Sequence, residues 1–153
     1  MTEGDRVYHK VFPSTGIVDE LTTGFLISYR DFCHQFIISS RLKLPYGSPK
    51  NMLAIYAIES NFTRITSYPI MESCVWKMKL QITKVQQGSI EEIGRLLKSF
   101  KQIHSTGVCQ ARGKILIENY YLPCDSWDKA VEIISQARSI PNITDCVIAQ
   151  IND

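Results

Sequence analysis

Residues 75–153 carry strand and helix signals in strict alternation, and this order limits the fold more than any other feature of the chain. Between residues 75 and 85, apolar and polar side chains alternate. This pattern predicts a strand with one buried face, which Trp76 anchors. Lys77 and Lys79 would then lie together on the opposite, solvated face.

A helix follows the predicted strand. Gly88 and Ser89 break the strand pattern, and Ser89 with Glu92 fits a capping box. Apolar residues then recur at helical spacing as far as Ile103, so we predict an amphipathic helix over 89–105. Gly107 is placed to end it.

The remaining C-terminal signals complete a recognisable order. Residues 114–122 are apolar on both faces, as an inner strand would be, and a second amphipathic helix is predicted over 126–138 with Trp127 on its core face. Residues 146–151 form a short closing strand. The order strand–helix–strand–helix–strand is that of a split-βαβ plait that lacks one strand or hides it in residues 108–112.

The first 74 residues form the less legible half and are rich in strand signals. We predict strands over 24–29, 52–58 and 64–68. Residues 32–40 read as a further strand, with a helix over 29–39 as the alternative. No linker separates the halves, so we expect one α+β domain over 1–153, an antiparallel sheet with both predicted helices on one face.

Charge is distributed unevenly along the chain. Residues 75–114 hold eight Lys or Arg and two acids, whereas residues 115–153 hold two bases and six acids. Such a separation of charge steers association with an anionic partner or favours self-association. The predicted anionic-surface residues are Lys77, Lys79, Arg95, Lys98, Lys101, Arg112 and Lys114. The alternative is that these residues only keep solvated faces soluble.

The sequence contains no recognisable catalytic or cofactor motif. The nucleophile-elbow, phosphate-loop and dinucleotide-binding patterns are absent. The five cysteines are widely spaced without a CxxC pair, which argues against a zinc site and favours reduced thiols in a cytosolic compartment. We therefore predict no enzyme activity, no cofactor, no metal and no small-molecule substrate. We expect a cytoplasmic protein, with a peripheral membrane or virion location if it contacts lipid.

Residues 75–122 resemble the core of small rhabdovirus matrix proteins. The resemblance rests on a strand with the sequence Trp-Lys-Met-Lys, a helix that leads to Phe100, and then Gly107 and an Arg-Gly-Lys turn before an apolar strand. It implies a non-enzymatic virion protein that self-associates, condenses the nucleocapsid and binds anionic membrane through basic residues. The Pro-rich late-domain motif and the long basic N-terminal tail are missing, so recruitment of budding machinery is not implied.

Residues 113–151 also resemble the last part of YCII-type dimeric α/β-barrel proteins. Tyr120, Tyr121 and the segment that begins at Asp125 carry this resemblance. It implies a small dimeric enzyme or ligand binder. The family's His/Asp pair has no counterpart here.

Three functional hypotheses follow from these patterns. The first is a structural or adaptor protein that forms homo-oligomers and binds an anionic membrane or nucleoprotein surface. The second is the dimeric enzyme or ligand binder, which predicts an apolar pocket between sheet and helices with a converging polar pair. The third is a sequence-tolerant RNA binder, which needs exposed aromatics such as Tyr120 and Tyr121 on central strands. Core packing is the alternative for those two tyrosines.

Overall fold

The computed structural model describes residues 9–10, 20–36, 47–58, 61–111, 113–123 and 126–152. The strands are β1 (His9–Lys10), β2 (Thr22–Ser28), β3 (Asn51–Ile58), β4 (Thr63–Ile70), β5 (Cys74–Ile82), β6 (Gln102–Ser105), β7 (Cys109–Ala111), β8 (Lys114–Tyr121) and β9 (Ile143–Asn152). The helices are α1 (Tyr29–Gln35), α2 (Gln87–Leu96) and α3 (Trp127–Ser139). The predicted α+β class is confirmed.

The C-terminal half forms the predicted plait. Its sheet has the strand order β1-β9-β5-β8-β6, with β7 also paired to β8, and every pairing is antiparallel. The strand expected within residues 108–112 is β7. The connection β5–α2–β6/β7–β8–α3–β9 therefore completes a split-βαβ plait.

One face of this sheet packs against α2 and α3. The alternation in β5 directs Trp76, Met78 and Leu80 into this layer, where they meet the buried face of α3. Trp76 also makes an edge-to-face contact with Trp127, with ring centroids 5.2 Å apart. Both tryptophans thus serve as the packing anchors that the sequence predicts.

The opposite face of the sheet is covered by a second sheet. Strands β2, β3 and β4 form an antiparallel sheet whose inward side chains meet Val75, Tyr120 and Ile151 of the plait. The sequence predicts these three strands, but not that they cover the polar face of β5. The domain therefore has helices, a plait sheet and a smaller sheet as successive layers.

Two predicted elements need correction. Residues 32–35 belong to α1 rather than to a strand, as the alternative helix over 29–39 predicts, and residues 37–40 lie outside the described part of the chain. Ser28 caps α1 by accepting a hydrogen bond from the Asp31 N–H at 3.1 Å. The helix predicted over 89–105 begins at Gln87 and ends at Leu96. The chain turns there and returns to the sheet edge as β6.

Helix α3 confirms the helix predicted over 126–138. Ser126 caps it by accepting a hydrogen bond from the Lys129 N–H at 3.3 Å. Gly107, predicted to end the earlier helix, instead lies between β6 and β7 with a φ of 66°. Such an angle suits glycine, so this residue shapes the turn that brings β7 beside β8.

Candidate binding groove and a buried ion pair

The predicted anionic-surface residues do not form one exposed face. The prediction that Lys77 and Lys79 lie on a solvated face is wrong, because the second sheet covers it. Lys77 is 1% exposed, and Lys79 is 11% exposed with its ammonium 2.9 Å from Oε1 of Glu20. Arg95, Lys98 and Lys101 are exposed near the C-terminal end of α2, Lys114 is half-buried at the start of β8, and Arg112 lies outside the described residues.

Lys77 forms a buried ion pair at the interface between the two sheets. Its ammonium lies 3.1 Å from Oε2 of Glu118 and donates to the carbonyl of Thr22. Glu118 also accepts hydrogen bonds from the N–H groups of Leu21 and Thr22, at 2.7 and 2.9 Å. Burial lowers the pKa of Lys77, and the negative charge of Glu118 opposes that shift.

A hydroxyl chain extends this polar cluster. Thr22 donates its hydroxyl to Glu118 and shares a 2.9 Å hydrogen bond with the phenol of Tyr120. Tyr120 is fully buried, and its ring lies 5.6 Å from the Lys77 ammonium. Because all these groups are held against one another beneath β2, the cluster fastens the start of the second sheet to the plait.

The helix-covered face of the plait holds an open groove. It lies between α2 and the strands β6 and β8, and its volume is about 460 Å³. Helix α2 lines one wall and the β6–β7 connection the other, with β8 as the floor. The lining of the groove includes Ile93, Gly94, Leu97, Lys98, Phe100, Ile117, Asn119 and Tyr121.

A polar pair lies on the apolar floor of this groove. Asn119 is 6% exposed and donates from Nδ2 to the hydroxyl of Tyr121 at 2.7 Å. Its other amide atom, Oδ1, is buried without a hydrogen-bond partner among the described residues. Burial raises the pKa of Tyr121 to about 12, so its phenol keeps its proton near neutral pH. The floor of the groove therefore holds one unsatisfied acceptor, which is buried from solvent, beside a neutral hydroxyl.

A second unsatisfied polar atom lies deeper in the same layer. The indole N–H of Trp76 is buried without a partner among the described residues. Trp76 borders a narrow space with Leu97, Phe100 and Tyr121 that does not admit a water molecule. Since these last three residues also line the groove, the space lies directly behind its wall.

The side chains of His104 and Cys109 are both engaged in hydrogen bonds. His104 pairs with the hydroxyl of Tyr68 through Nδ1 at 2.8 Å, whereas the Cys109 thiol donates to the carbonyl of Thr106. Within the described ranges, no three His, Cys, Asp or Glu side chains lie close enough to share a metal ion. Tyr120 and Tyr121 are both buried, so neither ring is exposed to stack on a nucleic acid base.

Sequence reasoning did not identify Asn119, although a signal existed. Glu118 and Asn119 interrupt an otherwise apolar strand, and adjacent strand residues point to opposite faces. One of the two side chains therefore points towards the second sheet and the other towards the helices. Glu118 pairs with Lys77 on the first side, whereas Asn119 lies on the floor of the groove on the second.

Comparisons with known proteins add no relative. No protein-family model matches the chain, and no significant match occurs among curated proteins or solved structures. In the described part of the chain, none of the helices has both the length and the apolar character needed to cross a bilayer.

Proposed function

We propose that this protein binds a small amphipathic molecule in the groove between α2 and β8. The observation that carries this proposal is the unsatisfied Oδ1 of Asn119 on the floor of an apolar groove. Buried polar atoms in folded proteins are nearly always hydrogen-bonded, because leaving one unpaired costs about 1–3 kcal/mol. A bound molecule with a donor group would satisfy this atom.

The shape and lining of the groove support the same function. Its volume of about 460 Å³ falls within the range of ordinary small-molecule sites. Ile93, Leu97 and Ile117 supply apolar contact area, while Asn119 and Tyr121 supply the few converging polar groups that fix orientation. The ligand-binder hypothesis calls for an apolar pocket with a converging polar pair, and the lining of this groove supports it.

Gly94 offers a direct test of the groove. A side chain added at Gly94 would start in open space, and Gly94 lines the groove. Gly94→Phe should therefore place an aromatic ring in the groove, since its Cβ meets no atom within 4 Å. Gly88 lies in the same helix and is equally open, but is not among the residues of the groove lining, so Gly88→Phe is the matched control.

Titration with 8-anilinonaphthalene-1-sulfonate, an apolar fluorescent anion, would measure occupancy. We expect saturable fluorescence enhancement in the wild type and in Gly88→Phe, and its loss in Gly94→Phe. Near-UV circular dichroism would verify that each variant keeps native packing. Equal enhancement in both variants would place the dye elsewhere and overturn the proposal.

The second candidate function is that of an adaptor for an anionic surface, the matrix-like hypothesis. It is favoured by the exposure of Arg95, Lys98 and Lys101 near the end of α2. Co-sedimentation with anionic vesicles at low and high salt would test it. Reversal of all three charges to Glu should abolish salt-sensitive binding. The triple reversal of the exposed Arg30, Lys50 and Lys129 has the same net charge and should not. An equal loss of vesicle binding in the two triple variants would show that binding depends on net charge alone and not on these three residues.

A further inference from the structure

We infer that the groove selects an organic anion that carries an N–H or O–H group beside an apolar body. The inference rests on the proposed function and names the chemical class of the ligand. It follows from three features of the lining, namely an orphaned acceptor, one cation and apolar walls.

The orphaned acceptor determines the hydrogen-bonding group of the ligand. Asn119 donates from Nδ2 to the Tyr121 hydroxyl, whereas its carbonyl oxygen, Oδ1, has no hydrogen-bond partner among the described residues. A carbonyl oxygen only accepts, which means that only a donor satisfies it. An analogue without the donor would leave Oδ1 buried and unpaired again, and we expect it to bind about ten to a hundred times more weakly.

The charge of the lining determines the charge of the ligand. Among the described residues of the lining, Lys98 is the one with a charged side chain. Lys101 is also exposed just beyond the end of α2, whereas Glu92 and Arg95 both border a different groove, between α2 and α3. The mouth therefore favours a negative group, which remains partly hydrated because Lys98 is exposed.

The walls of the groove determine the apolar part of the ligand. Ile93, Leu97 and Ile117 present aliphatic surface, and Phe100 adds an aromatic ring to the lining. An apolar chain or ring in this position is removed from water, whereas its donor group reaches the floor and its anionic group stays at the mouth.

N-acylated glycines form a matched probe series for this arrangement. N-Octanoylglycine has the apolar chain, one amide N–H and one carboxylate. N-Octanoylsarcosine replaces the N–H by N-methyl, and N-octanoylglycinamide replaces the carboxylate by a neutral amide. Titration calorimetry of the wild type should rank N-octanoylglycine first, with the sarcosine at least about tenfold weaker and the glycinamide severalfold weaker.

Two variants assign these differences to named side chains. Asn119→Leu should abolish the preference for the N–H probe over its N-methyl analogue. Lys98→Gln should abolish the preference for carboxylate over amide, whereas Lys129→Gln, an exposed lysine on α3, should preserve it. Equal affinity of the three probes for the wild type would overturn the inference without any variant.

Gly94→Phe separates failure of the inference from failure of the proposed function. If the probes bind with equal affinity and Gly94→Phe blocks them all, the groove binds ligands but the assigned ligand class is wrong. If no probe binds, or if Gly94→Phe changes nothing, neither the groove function nor its ligand class stands.

Discussion

The ammonium of Lys77 lies 3.1 Å from Oε2 of Glu118, and both side chains are sealed between the two sheets. Lys77 comes from β5 and Glu118 from β8, which are neighbours in the plait sheet. The groups that complete the pair come from residues 21 and 22, at the start of the second sheet. The pair therefore links the N-terminal half of the chain to the plait.

Removal of one partner from this ion pair should destabilise the whole domain. Lys77→Met leaves Glu118 charged and buried without its counterion, and we expect a loss of about 3–5 kcal/mol in the free energy of unfolding. Urea denaturation followed by circular dichroism would measure it. Lys79→Met is the control, because the side chain of its partner Glu20 is 46% exposed, so water screens this pair and it is worth about 1 kcal/mol or less. Equal losses of unfolding free energy in the two variants would show that the buried pair contributes no more to stability than the pair between Lys79 and Glu20.

Gly24 and Gly94 should respond to alanine in opposite directions. A Cβ on Gly24 would lie 2.5 Å from Cε1 of Tyr120, whose ring is held by the hydrogen bond to Thr22. Gly24→Ala should therefore cost about 1–3 kcal/mol through overpacking. Gly94→Ala meets open space within α2 and should add about 0.5–1 kcal/mol, because alanine favours the helix. Thermal denaturation of both variants would measure these shifts. A stabilising Gly24→Ala would mean that the two sheets are packed less closely than described.

Cys146 should be the least reactive of the described cysteines. Its side chain is fully buried under α3, and burial raises the pKa of the thiol to about 12. Since the thiolate is the reacting species, alkylation must await opening of the domain. Cys33, Cys74 and Cys109 are half-buried and provide internal references. Iodoacetamide pulses analysed by peptide mass spectrometry should label these three before Cys146, and labelling of Cys146 should accelerate only with denaturant. Early labelling of Cys146 would contradict the described packing.

The sequence predicts the strands and helices whose apolar residues all face a single packing layer. The alternation in residues 75–85 and the two helix signals were sufficient for the plait, because a single apolar face per element determines what packs on it. The predicted C-terminal end of α2 is wrong for a related reason. Phe100 and Ile103 continue the helical spacing, yet they reach apolar layers from a turn and from β6.

Lys77 shows why the remaining features were not predictable from pattern alone. A lysine on the polar side of an alternating strand is normally solvated, and only the position of the second sheet reverses this. That position depends on hydrogen bonds between residues almost a hundred positions apart, such as Thr22 and Glu118. The orphaned Asn119 Oδ1 likewise depends on how far α2 extends over β8, which no local signal encodes.

His104 should make the stability of the domain sensitive to mild acid. Burial and the nearby positive charge of Arg64 both lower the pKa of His104 below its usual value of about 6.5. The unfolded chain therefore binds a proton at a higher pH than the folded chain does. The contribution of neutral His104 is complete above about pH 6.5 and is lost as the pH falls towards the lowered folded pKa.

Thermal unfolding between about pH 7.5 and pH 5.5 would measure this dependence. The melting temperature of the wild type should fall more steeply with acidification than that of His104→Gln. The exposed His34 provides the control, and His34→Gln should retain the wild-type slope. Arg64→Gln should reduce the slope, because it removes one of the two causes of the lowered pKa. A His104→Gln profile parallel to the wild type would mean that His104 is solvated in the folded protein, in conflict with its 2.8 Å hydrogen bond to Tyr68.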